Sequence, residues 1–183
     1  MIVSYSDGEG RMAGVGAAAW VPWLEHPVAV FSMVPDWLRA MWAKCAKREQ
    51  YRDIFLVEGV GPLLLLIAFP RRMRNALWIH FIDNEGSEAS LVKGSSSMEA
   101  ADHVVGLTWE KIAQRCLTPY FGRVESEANP VDKLSRGDAR GPWREVVNLP
   151  FPTDELKKLA DECGGWLFDP EKFDSDDDSM DDR

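Results

Sequence analysis

Apolar residues change their spacing several times along this chain, and each change marks an element. Ile2 to Tyr5 is a short β-prone run that Ser6-Asp7-Gly8-Glu9-Gly10 stops, and Met12 to Val21 resumes with small and apolar residues. Two strands joined by a Gly-rich turn is the economical reading. Pro27 to Val34 alternates and predicts a third strand. After Pro35-Asp36 the spacing becomes helical: Trp37, Leu38, Met41, Trp42 and Cys45 recur every three or four residues, with Arg39, Lys44, Lys47 and Arg48 on the other face. Asp53 to Phe69 is mostly apolar and too long for a strand, which predicts a buried helix. Gly59, Gly61 and Pro62 weaken its interior, and Pro62 fits if the regular helix begins near Glu58, placing the ring in its first turn.

Arg71 to Asn75 is a polar loop, and Ala76 to Ile82 reads as a buried strand ending at Asp83-Asn84. Gly86 to Val92 fits a short helix closed by Lys93-Gly94, and Ser97 to Leu117 a longer one. Tyr120 to Val124 predicts a short strand, Glu125 to Pro130 a loop, and Val131 to Ser135 a short helix ended by Arg136-Gly137. The resulting order, β-β-β-α-α-β-α-α-β-α, predicts an α/β (α+β) fold with helices packed on a mixed sheet. From Gly141 onward Pro142, Pro150 and Pro152 mark a linker, and Thr153 to Cys163 reads as one further helix. Asp174 to Asp182 is a charge run with no apolar face, which predicts disorder. The expected division is therefore a domain over 1–140, an extension over 141–173 and an acidic tail over 174–183.

Composition narrows the partners less than it first suggests. The net charge of −9 opposes phosphate binding. Yet Phe151 to Arg183 holds twelve acidic residues against four basic ones, which leaves the first 150 residues near neutral at −1. A basic groove on the body is thus compatible with the total. The longest apolar stretch, Pro62 to Pro70, is far short of the roughly 20 residues of a membrane span, and no signal-peptide pattern opens the chain. Cys45, Cys116 and Cys163 are an odd, scattered set without a CxxC, so a reducing intracellular setting, cytoplasmic or nuclear, is expected.

Candidate chemistry lies in four carboxylates at element ends. Asp7 and Asp83 each follow a strand, Glu58 lies inside an apolar helix, and Asp132 opens a short helix. Acids rarely enter apolar segments unless paired or bound to metal. Two parallel neighbouring strands would bring Asp7 and Asp83 together. Four such acids cannot all stay ionised without a cation, and hard oxygen ligands favour Mg²⁺ or Mn²⁺. Two ions about 3.5–4 Å apart suit in-line phosphoryl displacement by water. Each acid also has a plain reading: Asp7 as a turn residue, Glu58 as a paired helix residue, Asp83-Asn84 as a helix cap, and Asp132 as a helix-dipole partner. His26, His80 and His103 share no ligand spacing and read as structural, and Trp37, Trp42, Trp78 and Trp109 as core.

The wording around these acids is similar to a known family. Tyr5-Ser6-Asp7-Gly8 with Ala13-Gly14-Val15-Gly16-Ala17 comes first, then Ile54-Phe55-Leu56-Val57-Glu58 with Pro62-Leu63-Leu64-Leu65. Phe81-Ile82-Asp83-Asn84 with Leu91-Val92-Lys93-Gly94-Ser95 follows, then Arg123-Val124-Glu125-Ser126 with Asn129-Pro130-Val131-Asp132-Lys133-Leu134-Ser135-Arg136-Gly137. Over roughly residues 1–140 the chain resembles the ribonuclease H domain of retroelement reverse transcriptases, most closely that of tyrosine-recombinase (DIRS-type) retrotransposons. The resemblance implies a ribonuclease H-like fold, a mixed five-stranded sheet with helices on both faces and a core order β-β-β-α-β-α-β-α. It implies cleavage of the RNA strand of an RNA–DNA hybrid, with Asp7, Glu58, Asp83 and Asp132 holding two Mg²⁺ (or Mn²⁺) ions. Gly8, Gly10, Asn84, Lys93, Arg123 and Asn129 are carried over as substrate contacts, Gly8, Gly10 and Glu58 near the 2′-hydroxyl that distinguishes RNA from DNA.

Some positions depart from that pattern. Glu125 to Ala128 lacks the histidine that many cellular members carry there, which implies slower turnover. Gly59 and Gly61 replace good helix formers. Met1 stands directly before the first strand, so no polymerase domain is expected to precede it, although a reverse transcriptase domain in a longer polyprotein remains a partner the resemblance implies. These departures favour a non-catalytic binding or scaffold module as the alternative. A third reading, a 3′–5′ exonuclease, takes Asp7-Gly8-Glu9 as its opening Asp-x-Glu, but Tyr120 lies twelve residues before Asp132 instead of the expected four or five.

Overall fold

The structure is a computed structural model and describes residues 1–11, 13–48 and 54–162. Its strands are β1 (Ile2–Gly8), β2 (Gly14–Trp20), β3 (Val28–Met33), β4 (Leu77–Ile82), β5 (Thr118–Arg123) and β6 (Glu145–Asn148). The helices are α1 (Asp36–Arg48), α2 (Ile54–Gly59), α3 (Gly61–Ala68), α4 (Glu85–Lys93), α5 (Glu99–Gln114), α6 (Asp132–Ser135) and α7 (Thr153–Glu162). The fold is thus α/β, with one mixed sheet in the order β5-β4-β1-β2-β3-β6. β1, β2 and β3 form an antiparallel meander, while β4 and β5 continue from β1 in parallel.

Alternation along the strands builds two layers. Ile2, Val15, Ala17, Ala19, Val28, Val30, Trp78 and Ile82 face the main core, which α1, α2, α3, α5 and α7 close. Ala18 and Ala29 face the other way, where Val131 and Leu134 of the α6 segment pack among Tyr5, Trp20 and Phe31. Helices therefore lie on both faces, unequally. Small side chains on β2 let helices approach from each side.

Several boundaries differ from the sequence-based expectation. β1 runs through Ser6 and Asp7 to Gly8, because each of these residues pairs with β2. The apolar stretch expected as one helix is two, α2 and α3, broken at Val60. Pro62 has no N–H to donate to Glu58 and sits in the first turn of α3, where none is needed. That helix begins at Gly61 and not near Glu58. The sheet has six strands, not five. The stretch expected as a linker contains β6, an edge strand parallel to β3 whose ladder is continued by Leu149 N–H to Phe31 O at 2.9 Å. Pro142 and Pro150 bracket the strand instead of interrupting it, as an edge tolerates. Beyond it Phe151, Leu156 and Ala160 enter the main core, so residues 141–162 are built into the same body. The acidic run 174–183 lies outside the described residues, as does Asp53. No helix among the described residues is long and apolar enough to cross a membrane.

Candidate functional site

β1 and β4 are parallel neighbours in the sheet, so their C-terminal ends emerge side by side. Asp7 is carried at one end and Asp83 just past the other. Glu58 reaches them from α2, which is pressed against the end of β1. A Cβ on Gly8 would lie 2.7 Å from Glu58 Cγ and 2.8 Å from its backbone N, so only glycine admits this approach. α3 is seated the same way, with Gly61 against the Ser6 side chain. On the opposite face α6 brings in Asp132. Its Ser135 backbone lies against β2, where a Cβ on Gly16 would stand 2.6 Å from Ser135 N, and Gly14 meets the Ser135 carbonyl. Gly8, Gly14, Gly16 and Gly61 thus set the distances between elements.

The electrostatics couple Asp7 to Asp83 and Asp132, and Glu58 to Asp83 and Asp7. The Asp7 carboxyl is raised to about 6 by burial, with the charges of Asp83 and Asp132 adding to it and a hydrogen bond from Ser135 opposing it. Glu58 is pushed up to about 9, again chiefly by burial and then by the charges of Asp83 and Asp7. At neutral pH Glu58 therefore keeps its proton, which it can share with Asp83, while a hydrogen bond with the Asn84 side chain opposes the rise. Ser126 Oγ donates to Asp83 Oδ2 at 3.0 Å, and the Arg136 guanidinium donates to Asp132 Oδ1 at 2.7 Å. Two buried oxygens, Glu58 Oε2 and Asp83 Oδ1, accept from no donor. Buried polar atoms are normally satisfied, so these two depend on the proton of Glu58 or, in its place, on a cation.

A divalent cation fits that place in its chemistry. The donors are hard carboxylate oxygens, and two are buried and unpartnered. Among the described residues, however, no three acidic, histidine or cysteine side chains already close into a ligating set. Asp7, Asp83 and Asp132 each accept from a local donor, Ser135, Ser126 and Arg136 in turn.

The residues expected to contact substrate are more dispersed. Gly8 is in the cluster and touches Glu58. Asn84 caps α4 by accepting from Ser87 N–H at 3.0 Å, besides bonding Glu58. Asn129 is buried and donates to Ser6 O at 2.9 Å, tying the loop before α6 to β1. Gly10 is in the exposed β1–β2 turn, its carbonyl bonded by Arg39 at 2.7 Å. Lys93 is exposed at the end of α4, and Arg123, exposed at the end of β5, stands 3.7 Å from Glu85. Glu9 accepts from Arg11 N–H within its own turn and does not join the four acids. Sequence reasoning assigned no role to Ser126, Ser135 or Arg136. The signal for Arg136 was its place four residues after Asp132, on the same face of a helix.

Comparison with protein-family models and with curated protein sequences finds no match for this chain.

Proposed function

We propose that the chain is a divalent-metal-dependent nuclease of ribonuclease H type, cleaving the RNA strand of RNA–DNA hybrids. One observation carries this reading: acids from four separate segments are coupled in charge beside the ends of parallel strands β1 and β4, and Glu58 Oε2 and Asp83 Oδ1 are buried with no donor but the proton of Glu58. Asp7, Glu58, Asp83 and Asp132 would hold Mg²⁺ or Mn²⁺, and a cation so held supplies Lewis acidity to a phosphoryl oxygen and to water. The chain's own part is to gather the acids, keep them partly dry, and hold a proton on Glu58 until positive charge replaces it. The meander β1-β2-β3 with two parallel strands added beside β1 also supports a ribonuclease H-like fold, as does the position of Gly8 next to Glu58. The test is a labelled hybrid incubated with Mg²⁺ and with Mn²⁺. Cleavage is expected, with a loss on the order of 10³-fold in Asp83→Asn, the scale of a removed charge-stabilising group. No cleavage by the wild-type chain with either ion refutes the reading.

The hydrogen bonds that Ser135 and Arg136 make to Asp7 and Asp132 favour a second reading. A module whose acids are occupied by its own donors would be a non-catalytic scaffold or nucleic-acid-binding domain. Mg²⁺ decides between them. A cation that binds only the folded chain raises its melting temperature, and a scaffold shows no such rise.

A further inference from the structure

Arg136 is poised between two anions of different kinds. Its guanidinium rests on Asp132 one helical turn away, yet both side chains are solvent-accessible, at 63% and 39%. An exposed i,i+4 pair is weak and easily exchanged. The pair borders an open pocket of about 510 Å³ lined by Ser126, Glu127, Asn129, Asp132, Lys133 and Arg136. Two of these, Ser126 and Asn129, also hold the site together through Asp83 and Ser6. As the structure stands, two carboxylates in the pocket balance two cations, and it offers a phosphate no net attraction. The balance changes if the charge of Asp132 is taken up by a divalent cation. The guanidinium is then repelled from Asp132 and free to turn into the pocket, where Lys133 already stands. A planar guanidinium beside an ammonium is the chemistry that recognises a backbone phosphate.

Resting on the reading that Asp132 helps hold a divalent cation, we propose that Arg136 is a tethered counter-charge that leaves Asp132 when the cation arrives and then binds a substrate phosphate in this pocket. Arg136 thus opposes cation binding in the free protein and supports nucleic-acid binding in the loaded one. Because binding free energies are linked reciprocally, cation and nucleic acid then promote each other's binding.

The experiment compares the whole chain with Arg136→Ala and Arg136→Lys. Mg²⁺ alone is titrated calorimetrically, and a fluorescent RNA–DNA hybrid is then titrated by anisotropy with Ca²⁺, which the same oxygens accept. Arg136→Ala is expected to bind Mg²⁺ about three- to tenfold tighter, the effect of removing one cation near a partly exposed site. It is expected to bind the hybrid about three- to tenfold more weakly, with a salt slope reduced by about one. Arg136→Lys should retain most of both wild-type behaviours. If the two affinities fall together in Arg136→Ala, the residue is merely structural and the proposal is overturned. If neither moves while the wild-type chain binds Mg²⁺, the proposal falls and the nuclease reading stands. No Mg²⁺ binding by the wild-type chain overturns both.

Discussion

Strands β1 and β4 carry two buried polar groups, one above the other, and they are finished differently. In the lower group, Ser4 Oγ is 2.8 Å from His80 Nδ1, Ser6 Oγ is 2.9 Å from His80 Nε2, and Trp78 Nε1–H donates to Ser4 Oγ at 2.6 Å. Both ring nitrogens are used. Burial holds His80 far below its usual range, at about 3, so the ring is neutral and no counter-ion is needed. In the upper group, which starts at Asp7 one residue beyond Ser6 along β1, carboxyl groups crowd together with like charges and two of their oxygens have no donor but the proton of Glu58. The first arrangement fastens one strand to the next. The second is stable only by holding a proton or a cation, which is the property of a site.

Substitutions should separate the two groups, and the largest difference is expected in sign. Asp83→Asn removes catalysis by about 10³-fold in the hybrid assay while leaving the melting temperature unchanged or raised, since one of several repelling charges is gone. His80→Ala does the reverse: it takes the ring partner from Ser4 and Ser6, opens a cavity beside Trp78 and destabilises by about 3 kcal/mol, measured by urea denaturation. If Asp83→Asn proved as destabilising as His80→Ala, the distinction between the groups would fail.

The next effect is steric. Gly16→Ala places a methyl group 2.6 Å from Ser135 N, which must push α6 outward and separate Asp132 and Ser135 from Asp7. A loss of about 1–3 kcal/mol is expected from such overpacking, with a loss of Mg²⁺ affinity larger than the stability change alone explains. Equal Mg²⁺ affinity in Gly16→Ala would show that Asp132 does not belong to the set.

A smaller effect follows from titration. In the cation-free chain Glu58 binds its proton up to about pH 9, against 4.5 for the unfolded side chain, and Asp7 up to about 6, against 3.8. The folded state therefore holds more protons than the unfolded state between those values. Stability falls as pH rises through that window, most steeply below about 6 where both groups contribute, and the decline continues for Glu58 alone until it levels off near 9. Melting curves from about pH 6 to about 9.5 should show the decline, and Glu58→Gln should flatten it and be the more stable chain at pH 7, because the wild-type carboxyl must take up a proton to fold there. A wild-type stability independent of pH over that range would mean that Glu58 is not held neutral.

Much of this was legible in the sequence where local chemistry decides the structure. Asn84 accepting from Ser87 and Gly94 in the left-handed conformation, with φ 75°, close α4 at both ends. The placing of acids after apolar strands was enough to pair Asp7 with Asp83, because parallel neighbours end together. What stayed hidden depends on contacts distant along the chain. β1 continues through Asp7 only because β2 supplies partners opposite it, which overrides the turn preference of Ser-Asp-Gly. β6 has just two valines and one pairing neighbour, too short a pattern to register between prolines. The donors on the acids, Ser126 and Ser135, come from residues 43 and 128 positions away, and no spacing rule reaches that far.

The central claim, that these carboxylates form one cation site whose place is kept by a proton, is tested most directly by calorimetry. Mg²⁺ is titrated into the chain at pH 7 in buffers of different ionisation enthalpy, which counts the protons released on binding. Saturable binding with release of about one proton, absent in Asp83→Asn, is the expected result. Absence of binding, or binding that releases no proton, contradicts the account.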